Sequence, residues 1–140
     1  MKDSPLTLLA QLMRTLGSVE SRLESALEPV GLSVAKFRAL AQLVDVEEGL
    51  PLSTLAERCA CVRSNITQLV DRLEAEGLVV RAVDPRDRRS VRAELTALGR
   101  SRHAAGARAL EAEEKALLAR LKKPQRESLL AALELLRSAK

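Results

Sequence analysis

Apolar residues recur at helical spacing along most of this 140-residue chain, and this periodicity limits the fold more than any other feature. The first stripe ends before Pro29 and Gly31, which stop a helix. Its members are Leu9, Leu12, Leu16, Val19, Leu23 and Leu27. Ser4 and Pro5 precede it as a hydroxyl cap and a proline at the first helical position. With 27 Leu and 21 Ala residues, the composition also favours a mostly helical protein.

Three shorter helices are predicted in the middle of the chain. Ser33 caps the first, which ends near Gly49. Its inward-facing residues are Phe37, Leu40, Ala41 and Val44. The second follows Pro51 and has one apolar face, formed by Leu52, Leu55, Ala56 and Cys59. After a turn at 60–62, the third runs over about 63–76 and has the apolar spacing i, i+3, i+4, i+7 at Ile66, Leu69, Val70 and Leu73. Gly77 stands where such a helix ends.

Two segments, 78–80 and 91–95, have the apolar, β-branched character of strands. The residues between them include Asp84-Pro85-Arg86-Asp87, which favours a turn, so the two segments form a hairpin. Two short helices joined by a tight turn and followed by a hairpin predict a winged helix-turn-helix.

Two more helices complete the chain. Thr96 caps a long helix that runs to about Lys122, and Pro124 opens a last one with a leucine stripe at Leu129, Leu130, Leu133 and Leu136. We therefore expect a mainly α, single domain over 1–140, with the winged helix-turn-helix at about 33–96. Long helices at about 4–29 and 97–139 flank it. Their stripes are too long for so small a domain to cover alone, and a two-fold dimer would pack them against their symmetry mates.

The positive charge of the chain is confined to one segment. The net charge is +4, from 23 Lys and Arg against 19 Asp and Glu. Residues 81–102 contain seven arginines and three acidic residues, which accounts for the whole excess. The arginines are Arg81, Arg86, Arg88, Arg89, Arg92, Arg100 and Arg102. Because arginine forms forked hydrogen bonds to phosphate, this concentration favours a nucleic-acid contact over a solvated loop.

What the composition lacks excludes several classes of function. There is no Trp or Tyr, one Phe and one His, so base stacking on aromatic platforms and catalysis by several histidines are excluded. No Gly-rich phosphate loop or typical metal-ligand spacing occurs, and we expect no enzyme activity, cofactor or metal. No apolar run approaches the length needed to cross a membrane and the N-terminus lacks a signal-peptide core, so we expect a cytoplasmic protein.

In the order of its predicted elements and in its motifs, the sequence resembles the MarR family of bacterial winged-helix regulators over nearly the whole chain. Leu55-Ala56-Glu57-Arg58 resembles the first helix of the family's helix-turn-helix, and residues 63–79 resemble its recognition helix and the exit into the wing. The wing is the most specific match, since residues 84–90 (DPRDRRS) are followed by Leu95-Thr96 and Gly99-Arg100. The resemblance implies a homodimeric transcriptional repressor that binds a pseudo-palindromic DNA operator and is released by a small ligand or by oxidation.

The resemblance also implies which residues touch DNA. The candidates for reading base edges are Arg63, Ser64, Asn65, Thr67 and Gln68, because these side chains pair with guanine, adenine or several partners. Arg86 and Arg88 at the wing tip are candidates for the minor groove. Arg89 could contact phosphate or pair with Asp84 or Asp87. For Asp71 and Arg72, an ion pair within the domain competes with a DNA contact.

Three residues depart from the family pattern. Val62 stands where a hydroxyl cap is usual, which leaves the start of the recognition helix open. Ala60 replaces the usual turn glycine, and alanine at positive φ costs about 1 kcal/mol. Gln68 replaces a residue that is commonly basic, which could alter operator preference.

The effector site and the cysteines leave more than one interpretation. The family's ligand pocket lies between the dimerisation helices and the winged domain, which here suggests Leu12, Leu16, Phe37 and Leu40. Cys59 and Cys61 fit core positions, where buried thiols are commonly inert. A thiol-based redox- or metal-sensing regulator that uses these two cysteines is the alternative. His103 is expected to be an ordinary surface or pocket residue.

Overall fold

The computed structural model describes residues 5–139, so Ser4 and the outermost residues of the predicted domain lie outside the described part. The helices are α1 (Pro5–Leu27), α2 (Val34–Leu43), α3 (Leu52–Arg58), α4 (Arg63–Ala75), α5 (Ala97–Leu118) and α6 (Lys123–Arg137), and a 3-10 turn at Glu28–Val30 follows α1. The strands are β1 (Leu50–Pro51), β2 (Val79–Asp84) and β3 (Asp87–Leu95). They form one antiparallel sheet in the order β1-β3-β2.

The helix ends follow the local chemistry that the sequence predicts. The hydroxyl of Ser33 accepts the Lys36 N–H at 3.1 Å and caps α2. The hydroxyl of Thr96 accepts the Gly99 N–H at 2.9 Å and caps α5. Gly77 follows the end of α4 in the left-handed region, with φ of 77°. These caps satisfy backbone groups that a helix end would otherwise leave unpaired.

Two helices end earlier than the sequence predicts, and for α2 a tertiary contact lies at the end. α2 ends at Leu43 rather than near Gly49. The Arg100 guanidinium of α5 donates to the Val44 carbonyl at 3.0 Å. Gly49 passes so close to β3 that a Cβ there would be 2.3 Å from the Ala93 carbonyl oxygen. α5 ends at Leu118 rather than Lys122.

The sheet is larger than the sequence predicts. β2 and β3 extend beyond 78–80 and 91–95 to Asp84 and Asp87, and the register pairs Val79 with Leu95 and Asp84 with Asp87. The halves of β2 and β3 next to the turn, residues 81–84 and 87–90, contain no continuous apolar run, so the sequence did not predict them as strands; they pair through their backbones. β1 was also missed, since a two-residue strand exists only through its pairing with β3.

The core lies between the helix-turn-helix and the sheet. Its fully buried side chains include Leu40, Leu43, Leu55, Ile66 and Leu73, which come from α2, α3 and α4. α5 reaches this core at Gly99, where a Cβ would be 2.0 Å from the Leu78 carbonyl oxygen. The close approach therefore requires glycine.

The outer helices keep their apolar stripes largely uncovered within one chain. Leu27 is fully buried and Leu23 is half-buried, but Leu9 and Leu16 of α1 are exposed. In α6 the exposed apolar residues are Leu129, Leu130, Leu133, Leu135 and Leu136, and none of the described α6 residues is buried. An apolar surface of this extent marks an interaction site.

Candidate nucleic-acid interface

α4 presents a polar face to solvent. Its buried residues are Ile66, Val70 and Leu73, which face the core. All five candidates for base reading are exposed, and they lie in the first two turns: Arg63, Ser64, Asn65, Thr67 and Gln68. A helix that packs through its apolar face and exposes polar side chains at its N-terminal end has the form that enters a major groove.

The turn before α4 sets the orientation of this helix. Ala60 has φ of 53°, the positive value expected from its place in the turn. The Cys61 N–H donates to the Ala56 carbonyl at 2.9 Å, and the Ala60 N–H donates to the Glu57 carbonyl at 3.1 Å. These bonds close the turn, while left-handed backbone at alanine costs about 1 kcal/mol.

Val62 is the N-cap residue of α4, and its apolar side chain cannot accept a hydrogen bond from the first turn. Its backbone is extended, with φ of −72° and ψ of 152°, and its side chain is 62% exposed. The helix therefore starts at Arg63, the position that the sequence had left open.

The wing turn is built around Asp84, the buried acid of the hairpin. Its Oδ1 accepts the Arg86 N–H at 2.9 Å and its Oδ2 lies 3.2 Å from the Arg92 Nε. The backbone bond from Arg86 lowers the pKa of Asp84; burial opposes this, and Arg92 adds to it. Arg92 also donates to the Gly49 carbonyl at 3.2 Å, which ties β3 to the segment before β1.

Internal partners neutralise part of the arginine excess. Arg81 pairs with Asp71 and, at 3.0 Å, with Glu74. Burial alone lowers the pKa of Arg81, but its bonds to the two carboxylates raise it overall. The predicted ion pair of Asp71 is therefore formed, but with Arg81 instead of Arg72, because β2 returns beside α4.

The three wing candidates keep their side chains free. Arg86, Arg88 and Arg89 are exposed, and within residues 5–139 none of their guanidinium groups makes a salt bridge or hydrogen bond. Arg89 uses its backbone N–H instead, which donates to Asp87 Oδ1 at 3.0 Å. The predicted alternative of an Arg89 side-chain pair with Asp84 or Asp87 is not formed.

The recognition helix and the wing meet along one cleft of about 230 Å³. Its lining residues come from α3, α4 and β3: Leu52, Ser53, Arg63, Thr67, Arg89, Ser90 and Val91. The structure thus brings Arg63, a predicted base reader, beside Arg89 of the wing. Ser53 was not singled out by the sequence, because a serine in the first turn of a helix is ordinary.

The four residues suggested for an effector pocket lie in different surroundings. Leu40 is fully buried, Leu12 is half-buried and Leu16 is exposed. Phe37 stacks on His103, with ring centroids 5.0 Å apart and planes at 10°. Burial lowers the pKa of His103; Asp45 opposes this shift and Arg100 adds to it.

The largest cavity described lies elsewhere, between α1, α5 and α6, and has a volume of about 610 Å³. Leucines dominate its wall, and Arg22 and Glu113 form a salt bridge of 2.6 Å at its edge. None of Leu12, Leu16, Phe37 and Leu40 lines it. The leucine stripe of α6 was the signal in the sequence that could have pointed to it.

The cysteines are both free thiols. Cys59 is buried in the core, as its helical phase predicts, and Cys61 is half-buried with its Sγ donating to the Cys59 carbonyl at 3.5 Å. Burial raises the pKa of Cys59; Cys61 adds to this and Arg38 opposes it. A raised pKa disfavours the reactive thiolate. In the described range no group of three or more His, Cys, Asp or Glu side chains has a metal-binding arrangement.

None of the helices over residues 5–139 combines the length and the apolar character needed to cross a membrane.

Comparisons with known proteins agree with this geometry. A sequence model described as the MarR family matches residues 30–90. An HTH-type transcriptional repressor of Mycobacterium tuberculosis is 30% identical over 123 residues, which cover 88% of this chain and 86% of the repressor.

Solved structures show the same fold. The transcriptional repressor CouR bound to a 23-mer DNA duplex is 29% identical, covers 98% of both chains and has a TM-score of 0.87. CouR from Rhodococcus jostii RHA1 bound to p-coumaroyl-CoA is 28% identical, covers 93% of this chain and 91% of that one, and has a TM-score of 0.77. These relatives are transcriptional regulators rather than enzymes. The chain belongs to the MarR family of winged helix-turn-helix transcriptional regulators.

Proposed function

We propose that this regulator is a repressor that binds a pseudo-palindromic operator in double-stranded DNA as a homodimer. The observation that carries the proposal is the cleft between α4 and the wing, which places an exposed polar helix face beside unpaired arginines. The repressor CouR, which shares the fold, has been solved on a DNA duplex. Two-fold symmetry would place the two recognition helices about one helical turn of DNA apart.

The two elements have different roles in this proposal. Ser64, Asn65, Thr67 and Gln68 contact base edges in the major groove, Arg63 contacts the DNA beside them, and amides such as Asn65 and Gln68 suit adenine. Arg86 and Arg88 at the wing tip enter the adjacent minor groove, where arginine is favoured when the groove is narrow. Arg89 contacts the backbone.

Selection of bound fragments from random-sequence DNA tests the proposal. We expect a pseudo-palindromic consensus. Gln68→Ala should relax the preference at particular positions and cost about 1–3 kcal/mol per contact.

Arg86→Ala should weaken specific and non-specific binding together and lower the salt slope if it neutralises a phosphate. Arg120→Ala removes one positive charge from the α5–α6 connection and should change neither the DNA affinity nor its salt dependence. A DNA affinity that is independent of salt and unchanged by Arg86→Ala would refute the proposal.

Release by a small molecule is the second part of the proposal. Its support is the relative CouR, which has been solved with p-coumaroyl-CoA. We infer that a small effector binds this chain between its outer helices and its winged domain, near Leu12, Leu16, Phe37 and Leu40. Titration of p-coumaroyl-CoA and smaller aromatic acids into the protein–operator complex tests this inference. Release of DNA by one of them supports it, and retention of DNA with every compound tested counts against it.

A further inference from the structure

The cleft between the recognition helix and the wing is lined by two arginines. Arg63 of α4 and Arg89 of β3 both line it, and none of its seven lining residues is acidic. Within residues 5–139 neither guanidinium makes a salt bridge or a hydrogen bond, whereas Arg81 and Arg92 of the same hairpin are paired with carboxylates. Two cations on the wall of one small cleft repel each other, and an anion bound in the cleft would reduce that cost.

The size and the donors of the cleft indicate which anion fits. A volume of about 230 Å³ is below the range of roughly 300–1,000 Å³ that is usual for small-molecule pockets. Arginine forks match phosphate oxygens in geometry and charge. The Ser53 hydroxyl adds a donor at the α3 side, while the Thr67 hydroxyl donates to the Arg63 carbonyl at 3.1 Å and is already used. The donor set suits one tetrahedral phosphate group.

We propose that this cleft binds a single phosphate of the DNA backbone, held jointly by Arg63 and Arg89. The inference rests on the proposed function, and it changes the role that the sequence predicts for Arg63, which then positions the protein and reads no base. The shared phosphate fixes the wing against the recognition helix at the moment of binding. Contacts of this kind set register and orientation but carry no sequence information.

Methylphosphonate substitution tests the assignment, because it neutralises one backbone phosphate at a time. The selected operator is prepared with single substitutions along each half-site, and its affinity is measured for the wild type, Arg63→Gln and Arg89→Gln. We expect one position per half-site at which the wild type loses roughly tenfold or more in affinity, in keeping with a charged hydrogen bond. Both variants should show a similar loss on the natural operator and no further loss at that position.

Arg88→Gln is the matched control, because Arg88 neighbours Arg89 in the chain but does not line the cleft. It should keep the full sensitivity to the methylphosphonate. Arg63→Gln should also leave the selected base preference unchanged. Urea unfolding of each variant verifies that the fold is retained, which is expected because both side chains are exposed.

The outcomes separate this inference from the proposed function. Loss of a guanine preference at one operator position in Arg63→Gln would make Arg63 a base reader and overturn the shared phosphate. Equal sensitivity of all proteins to every methylphosphonate would also overturn it, with DNA binding itself intact. A wild type that selects no DNA refutes both proposals. Inorganic phosphate that binds the free protein at millimolar concentration but leaves operator affinity unchanged would identify a free-anion site and overturn the backbone assignment.

Discussion

Val62 leaves the first N–H groups of the recognition helix without a side-chain acceptor. A serine there would bond one of them, since Val62 already has the extended backbone of an N-cap. We expect Val62→Ser to raise the free energy of unfolding by about 0.5–2 kcal/mol, measured by urea denaturation. Val62→Ala is the control, because it removes the same exposed valine without adding a cap. Equal midpoints for the two variants would show that the cap is not formed.

His103 is the one histidine of the chain, which makes its titration separable from the rest. Burial lowers its pKa, so the folded protein binds this proton less tightly than the unfolded chain does. The free energy of unfolding should therefore be highest above about pH 6.5, fall as the pH drops through this value, and level off below the folded pKa. Denaturation midpoints between pH 7.5 and 5 measure this slope.

His103→Gln should remove most of that slope, because carboxylates titrate mainly below this range. Asp45 and Arg100 are the charged groups that act on the imidazole. A variant with the same pH slope as the wild type would show that His103 is not its source.

At the scale of the element, the wing depends on the carboxylate of Asp84. Asp84→Asn keeps an oxygen for the Arg86 N–H but removes the charge that faces Arg92. We expect lower stability at pH 7 and weaker DNA binding, because the turn that carries Arg86 is held less firmly. The folded pKa of Asp84 is lowered, so its contribution is present above about pH 3.9 and is lost as the pH falls below it.

Asp87→Asn serves as the comparison for this prediction, since exposed Asp87 accepts, among residues 5–139, only the Arg89 N–H. Its effect on the unfolding midpoint should be smaller at pH 7. The stability difference between wild type and Asp84→Asn should also shrink at acid pH. A difference that is independent of pH would assign the effect to shape rather than charge.

At the scale of the molecule, the exposed leucines of α1 and α6 form an apolar surface that favours association with a second copy. Leu130 is 68% exposed and Leu133 is 46% exposed, and both line the large cavity between α1, α5 and α6. We expect a homodimer at micromolar concentration. Leu130→Glu should weaken the dimer by ~3 kcal/mol or more, since each of the two protomers loses a leucine that the dimer would bury. Sedimentation equilibrium measures both effects.

Val83→Glu is the control, because it also replaces an exposed aliphatic side chain by glutamate, but on the wing, where the valine is 59% exposed. It should leave the dimer intact. A monomeric mass for the wild type at micromolar concentration would contradict the dimer.

The sequence by itself determined the elements whose cause is local. Ser33 and Thr96 cap helices through bonds to residues three positions away, and Gly77 ends α4 through its own backbone freedom. The face of α4 follows from the spacing of Ile66 and Val70, which predicted the exposed polar side as well. Such features depend on neighbours in the chain, so a single sequence contains their full physical cause.

Tertiary structure alone decided the features that join distant segments. The partners of Asp71 and Asp84, the third strand at Leu50–Pro51 and the early end of α2 all depend on how β2, β3 and α5 return beside the helix-turn-helix. The charge excess was visible in the sequence, but which arginines remain free was not. An arginine becomes available to DNA only when no carboxylate reaches it in space, and distance in space is set by packing rather than by order along the chain.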